Sequence, residues 1–299
     1  MRISTQTLFE TGAARIGDLQ SGLARTQQQI ATGRRILVPS DDPAGTARAL
    51  EVTQSQSLNT QYGLNRQHAK SALGAVEGTL SSVTALLQDA KTTAIAAGNG
   101  VLSDAERGFM AIELRGRFDE LLGLANTRDA LGNYLFSGFQ TATPAFVQTA
   151  TGALYQGDQG RRLVQVDAAR QIAVSNTGQA VFQGGGQDVF QTLNDLVVLL
   201  QTPGTATLAT GLATANGSLD LALESVLTAR AAGGARLQEL DALDNAGSDR
   251  HLQYSETLSE LQDLDYAQAL TQLSQQQITL EAAQRSFVKT AGLSLFNFL

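Results

Sequence analysis

The sequence predicts a mainly α protein, an elongated bundle of long coiled-coil-like helices carrying a small β-rich insert. Three observations lead there. The 299 residues hold four prolines, Pro39, Pro43, Pro144 and Pro203, so residues 44–143 and 204–299 contain none. Proline costs roughly 3 kcal/mol in a helix interior, so its absence permits long helices. Leu73, Val76, Leu80, Val83, Leu87, Ala90 and Ala94 then recur at alternating steps of three and four, the stripe along which coiled helices pack. Short β-prone runs between turn residues are confined to residues 133–186.

Taken in order, the first helix is expected from about Ser4 to Thr32, with Ile16, Leu19, Leu23 and Ile30 as its apolar stripe and Gly33 as its stop. Residues 33–42 form a linker. Asp42 before Pro43 is an N-cap with a first-turn proline, opening a helix that reaches Ala97, roughly 80 Å at 1.5 Å per residue. Ser103 and Glu106 form a capping box, and Met110, Leu114, Phe118, Leu122 and Ala125 carry that helix to about Thr127. In the insert, Tyr134–Phe136, Arg161–Val166 and Gln171–Val174 are the β-prone runs.

Gln187 to Gln201 is helical and stops before Pro203. A long helix follows on Leu212, Leu219, Leu223, Val226, Leu237 and Leu240; Gly233-Gly234 marks a kink or a close helix contact, and residues 245–248 a weak point or bend. The last helix carries Leu258, Leu261, Leu270, Leu273, Leu280, Phe287 and Ala291. Residues 1–50 hold six Arg against four acids and residues 250–299 three basic residues against five acids, so the end helices are expected to be neighbours.

Composition narrows function. A net charge of −7 argues against nucleic acid, and Arg34–Arg35 and Arg161–Arg162 are isolated pairs read as solvated surface. Aromatics make up 5 % with no Trp, which suits narrow helix seams better than one thick core. Zero cysteine removes disulfides, thiolate nucleophiles and Cys-based zinc sites. The N-terminus lacks an apolar signal-peptide core, and the longest aliphatic run, Leu196 to Leu200, is too short to span a bilayer.

Candidate chemistry is thin. Asp41-Asp42 resembles a carboxylate pair, but neither His68 nor His251 lies near it in sequence and Pro43 explains Asp42 as a cap. Gly184-Gly185-Gly186 lacks the Lys-Ser/Thr of a phosphate loop. Asp263, Asp265 and Tyr266 read as solvated helix surface. The expectation is no enzyme, with no catalytic, cofactor or metal residues and no cofactor.

Three segments resemble bacterial flagellin and its hook-associated relatives: ATGRRILVPSDDPAG from Ala31 to Gly45, LANTRDALGNYLFSG from Leu124 to Gly138, and DLDYAQALTQLSQQQITLEAAQRSF from Asp263 to Phe287. The likeness covers about the first 140 and last 95 residues, with a looser middle. The opening MRIST, the closing GLSLFNFL and the Pro39–Pro43 segment resemble the hook–filament junction member more than filament flagellin.

The resemblance implies an inner tube domain with connector from 1–42 and 251–299, a helical bundle domain from 43–132 and 187–250, and a β-rich outer insert at 133–186. Matched by position, Ile16, Leu19, Leu23 and Ile30 would face Leu270, Leu273, Leu280 and Phe287 as the subunit interface, with Asp42 and Pro43 at the connector. It further implies a structural subunit at the extracellular hook–filament junction, exported without a cleaved signal peptide. Its partners would be a proximal hook-associated protein, filament flagellin, copies of itself and a cytoplasmic export chaperone at the C-terminal region. No nucleic-acid or membrane partner is expected. A short filament flagellin, and a secreted coiled-coil adhesin or effector, are the alternatives.

Overall fold

A computed structural model describes residues 3–204 and 207–296, with side chains described for residue 7 and for 9–204 and 207–290. The opening MRIST and closing GLSLFNFL segments, and Ala291 of the last stripe, therefore lie outside the described side chains. The elements are α1 (Ile3–Thr32), α2 (Pro43–Ala97), α3 (Asp104–Ala125), β1 (Phe146–Thr149), β2 (Gly152–Tyr155), β3 (Leu163–Asp167), β4 (Arg170–Ala173), α4 (Gly178–Phe182), α5 (Val189–Gln201), α6 (Leu208–Gln262) and α7 (Tyr266–Phe296).

The chain divides into two compact units: Met1–Leu58 with Asp249–Leu299, and Asn59–Ser248. The first division falls at Leu58/Asn59, within the residues of α2. The β segment belongs to the second unit. Phe136, Phe146, Val181 and Phe182 share one apolar core with Val76, Leu80 and Leu87 of α2, Leu114 and Phe118 of α3, Phe190 and Leu193 of α5, and Leu219 and Val226 of α6.

That core concentrates the few aromatics. Phe118, Phe136, Phe146, Phe182 and Phe190 are all fully buried, and Phe146 packs on Phe190 at 4.8 Å and edge-on to Phe182 at 5.5 Å between centroids. Low aromatic content thus does not mean an absence of a thick core here; the phenylalanines are placed together. The α2 stripe from Leu73 to Ala94 is buried as its spacing predicts. Within this unit α2 and α6 run antiparallel, joined by Arg66–Asp244, Lys70–Asp241, Lys91–Asp220 and Arg230–Glu77 pairs.

The insert forms two antiparallel hairpins, β1–β2 and β3–β4. The expected strand at Tyr134–Phe136 is instead a turn segment with one bridge from Arg128 to Tyr134. Leu135 and Phe136 are nonetheless buried in the core built by the helices, and the first hairpin at Phe146–Tyr155 is not among the expected strands. The β3 strand bulges between Gln165 and Asp167, and α2 holds it there: Asn65 donates to the Gln165 carbonyl (2.8 Å) and Arg66 to the Val166 carbonyl (3.0 Å).

The long sixth helix is unbroken. Neither Gly233-Gly234 nor residues 245–248 interrupts it, and a Cβ on Gly233 or Gly234 would meet nothing within 4 Å, so the close helix contact expected there falls at Gly247 instead. Gly247 is buried because the Asn59 amide donates to its carbonyl (2.8 Å) and the Arg66 guanidinium fills the space a side chain would take. Its glycine is a close-approach residue, not a hinge. The break comes later, at Asp263-Leu264-Asp265, where one last helix had been expected from Leu258 onward.

Candidate assembly interface

Within the first unit α1 and α7 pack antiparallel. Phe9 meets Phe287 with centroids 4.9 Å apart, a Cβ on Gly12 would stand 2.9 Å from Phe287, and one on Gly33 would stand 2.9 Å from the Tyr266 hydroxyl. The register fixed by those contacts sets two heptad stripes opposite each other. Gly12, Ile16, Leu19, Leu23, Thr26 and Ile30 of α1, and Phe287, Ala283, Leu280, Gln276, Leu273 and Ala269 of α7, are all buried or partly buried, each set on one stripe, and Gly12 meets Phe287. Both stripes step by four and three, the period of a left-handed coiled seam.

Seven of the eight residues picked from the sequence lie on these stripes. Leu270 does not: it is 54 % exposed, and buried Ala269 takes the seam position. The stripe was traced through the largest apolar residue, whereas the four-three step back from Leu273 lands on alanine. Thr26 is the most buried member of the α1 stripe, its hydroxyl donating to the Gly22 carbonyl at 3.1 Å. Gly12 leaves room for the Phe287 ring, which a Cβ there would meet at 2.9 Å.

The helix ends are tied by a short polar clasp. Gly33 stops α1 in the left-handed region (φ 70°), which favours glycine, and its carbonyl accepts from Leu264 N at 3.0 Å. Arg35 N donates to the Gln262 carbonyl (2.8 Å), Arg34 bridges Asp263, and the Arg35 guanidinium reaches the Leu261 carbonyl (2.8 Å) and Asp42 (3.2 Å). Arg34 and Arg35 are exposed, as the sequence suggests, and Arg35 is a structural link as well. Asp265 caps α7 by accepting from Gln268 N at 3.0 Å. The Asp265-to-Gln268 spacing is a capping signature that marks this break in the sequence.

The two adjacent aspartates divide the work of the α1–α2 connection. Asp42 Oδ1 accepts from Gly45 N (2.8 Å), the N-cap that Pro43 implied. That backbone bond, with Arg35 behind it, holds the Asp42 carboxyl below the usual aspartate range. Asp41 Oδ2 accepts from Leu37 N and Val38 N (3.2 Å each), and Oδ1 pairs with Arg25 (3.4 Å). His68 and His251 are exposed, with His251 Nδ1 3.3 Å from the Gln56 amide. Among the described residues no three His, Cys, Asp or Glu side chains gather as a metal site, and no helix is long and apolar enough to cross a membrane.

The outer faces of the pair stay open. Phe9, Leu270, Ile278 and Val288 are each more than half exposed, so two helices alone leave much of their apolar surface in water. Such a two-helix seam is marginal by itself and gains from further packing.

A family model described as the bacterial flagellin N-terminal helical region matches residues 3–141. The geometry and this match define a flagellin-like helical protein. Flagellar hook-associated protein 3 of Escherichia coli K12 is 34 % identical over 315 residues, covering 99 % of this chain and 99 % of that protein; the Salmonella typhimurium LT2 protein of the same name is 35 % identical with the same coverage. The flagellin of Listeria monocytogenes is 27 % identical over 56 % of each chain. The solved flagellar junction protein FlgL of Legionella pneumophila superposes with a TM-score of 0.63 at 20 % identity, covering 72 % of this chain and all of that one, a likeness of fold. The chain belongs to the flagellar hook-associated protein 3 family.

Proposed function

We propose that this chain is the structural subunit that joins the flagellar hook to the filament. One observation carries the reading: its relatives named hook-associated protein 3 are matched from end to end, whereas the flagellin of Listeria monocytogenes is matched over 56 % of each chain and that of Escherichia coli K12 over 40 % of this chain and 24 % of its own. The chain works in the flagellum, outside the cell, as a mechanical part and not a catalyst. Its neighbours are a proximal hook-associated protein, filament flagellin and copies of itself, with an export chaperone holding the C-terminal region before secretion without a cleaved signal peptide. The paired ends, 1–42 and 251–299, line the tube, and the insert at 133–186 lies outward.

The exposed faces of α1 and α7 support this assignment, since docking would bury them and couple ordering of the ends to assembly. Ile16, Leu19, Leu23, Ile30, Leu273, Leu280 and Phe287 shape the pair, and Leu270 is available to a neighbouring subunit. Electron microscopy of a deletion strain tests the function. Bare hooks with monomeric flagellin shed into the medium are expected; normal filaments would refute the junction role, and a missing filament without shed flagellin would favour the filament subunit itself.

A further inference from the structure

We propose that Arg161, Arg162 and Arg236, with the side-chain amide of Asn176, form a binding site for one tetrahedral oxyanion of the phosphate or sulfate class. All four belong to the second unit. The turn before β3 and the segment after β4 run side by side, with Val174 N donating to the Arg162 carbonyl (2.8 Å) and Arg162 N to the Ser175 hydroxyl (2.9 Å). Asn176, next along, accepts from Arg236 Nη1 of α6 at 3.3 Å. These contacts set the backbone of Arg162, and with it Arg161, beside Asn176, the residue that Arg236 of α6 holds, and Arg161 is the charge that acts on Arg236.

These cations lack counter-charges that the sequence would supply. Glu239, one helical turn from Arg236, is its natural partner. It is instead held in a two-point fork by Arg170, whose Nε and Nη2 donate to its two oxygens at 2.5 and 2.9 Å. Among the described residues no carboxylate lies within 4.0 Å of Arg161, Arg162 or Arg236. Asp129 influences Arg162 from farther away, but its own oxygens accept from Leu131 N, Asn133 N and the Asn133 amide. The Nε of Arg162 is buried with no hydrogen-bond partner. Burial and then the nearby Arg161 charge both press Arg236 toward its neutral form.

Such a group of like charges is unfavourable until an anion joins it. Three guanidinium groups offer far more donors than a two-oxygen carboxylate accepts, and their flat forks match the paired oxygens of a tetrahedral dianion. The net charge of −7 makes the concentration of uncompensated arginine here harder to ascribe to general surface composition.

Titration of inorganic phosphate into the full-length protein, in chloride buffer at constant ionic strength, tests the site. One saturable site is expected, and the unfolding midpoint should rise by about 3 to 6 °C with phosphate at tenfold its dissociation constant. Phosphate also stabilises proteins generally, so the variants decide. Arg161 is exposed, so Arg161→Gln should leave the fold intact and weaken binding about tenfold or more, while Arg236→Gln should abolish saturation and melt no lower than wild type in chloride. Absence of saturable binding, unchanged affinity in both variants, or acetate competing as well as phosphate would overturn the proposal.

Discussion

Gly12 of α1 and Phe287 of α7 meet so closely that a Cβ on the glycine would lie 2.9 Å from the ring. The ring also packs on Phe9 of α1, with centroids 4.9 Å apart. Replacing a helical glycine by alanine ordinarily gains about 1 kcal/mol, so the clash and the propensity oppose each other in Gly12→Ala. Gly12→Leu removes that ambiguity because its bulk cannot be absorbed by a small ring movement. The expected outcome is an unchanged thermal transition for the second unit together with loss of filament attachment. Normal motility of the Leu variant would show that this contact is dispensable.

The carboxylate of Asp42 gives a second test. Its bond to Gly45 N is a cap, and asparagine caps as well as aspartate, so Asp42→Asn should assemble almost as wild type. It loses only the partly exposed Arg35 pair, a small contribution. Asp42→Ala leaves the first turn of α2 uncapped and should impair junction assembly visibly. Motility and shed flagellin, measured for both variants in one strain, check the order; equally inactive variants would sink the capping account.

Helix spacing made most of this architecture legible. Leu73 to Ala94 and Leu212 to Val226 repeat at intervals that only a helix turns into one face, and caps at Ser103 and Asp42 announce themselves by residue type. What escaped was set by neighbours distant in sequence. Gly247 reads as a weak point until Arg66 and Asn59 are seen pressed against it, and Leu270 reads as core until Ala269 is seen on the seam. The β1–β2 hairpin was missed because alternation is short there, and its stability comes from Phe146 entering a core built by helices. The arginine group is not legible in the sequence, where Arg161–Arg162 reads as one solvated pair, because the capture of Glu239 by Arg170 joins residues 69 apart.

A third prediction concerns Arg66, whose side chain is 4 % exposed. It donates to Asp244 Oδ1 and, through Nη1, to the carbonyl at the β3 bulge. Arg66→Met keeps the stem but strands both acceptors. Removing one partner of a buried pair costs 3–5 kcal/mol; Asp244 is over a third exposed and keeps Lys70, so about 2–3 kcal/mol is expected. Denaturant unfolding of the second unit measures it, and a loss below 0.5 kcal/mol would mean that water replaces the guanidinium freely.

Acid should weaken the same unit through Asp244. Burial works against its ionisation, yet the hydrogen bonds from Lys70 and Arg66 outweigh it and hold the carboxyl below the ordinary aspartate value. A carboxylate depressed in the folded state is protonated first in the unfolded chain. Its contribution is therefore complete above the ordinary value of about 4 and disappears as pH falls through the lower folded value. Glu239 shifts the same way through Arg170, but both side chains of that pair are about a third or more exposed, so its part is smaller. The unfolding midpoint should be nearly flat from pH 7 to 5 and fall toward pH 3. Asp244→Asn should start lower at pH 7, decline less, and converge on wild type as pH falls through the lowered folded value. A variant curve running parallel to wild type across that interval would place the acid sensitivity in other carboxylates.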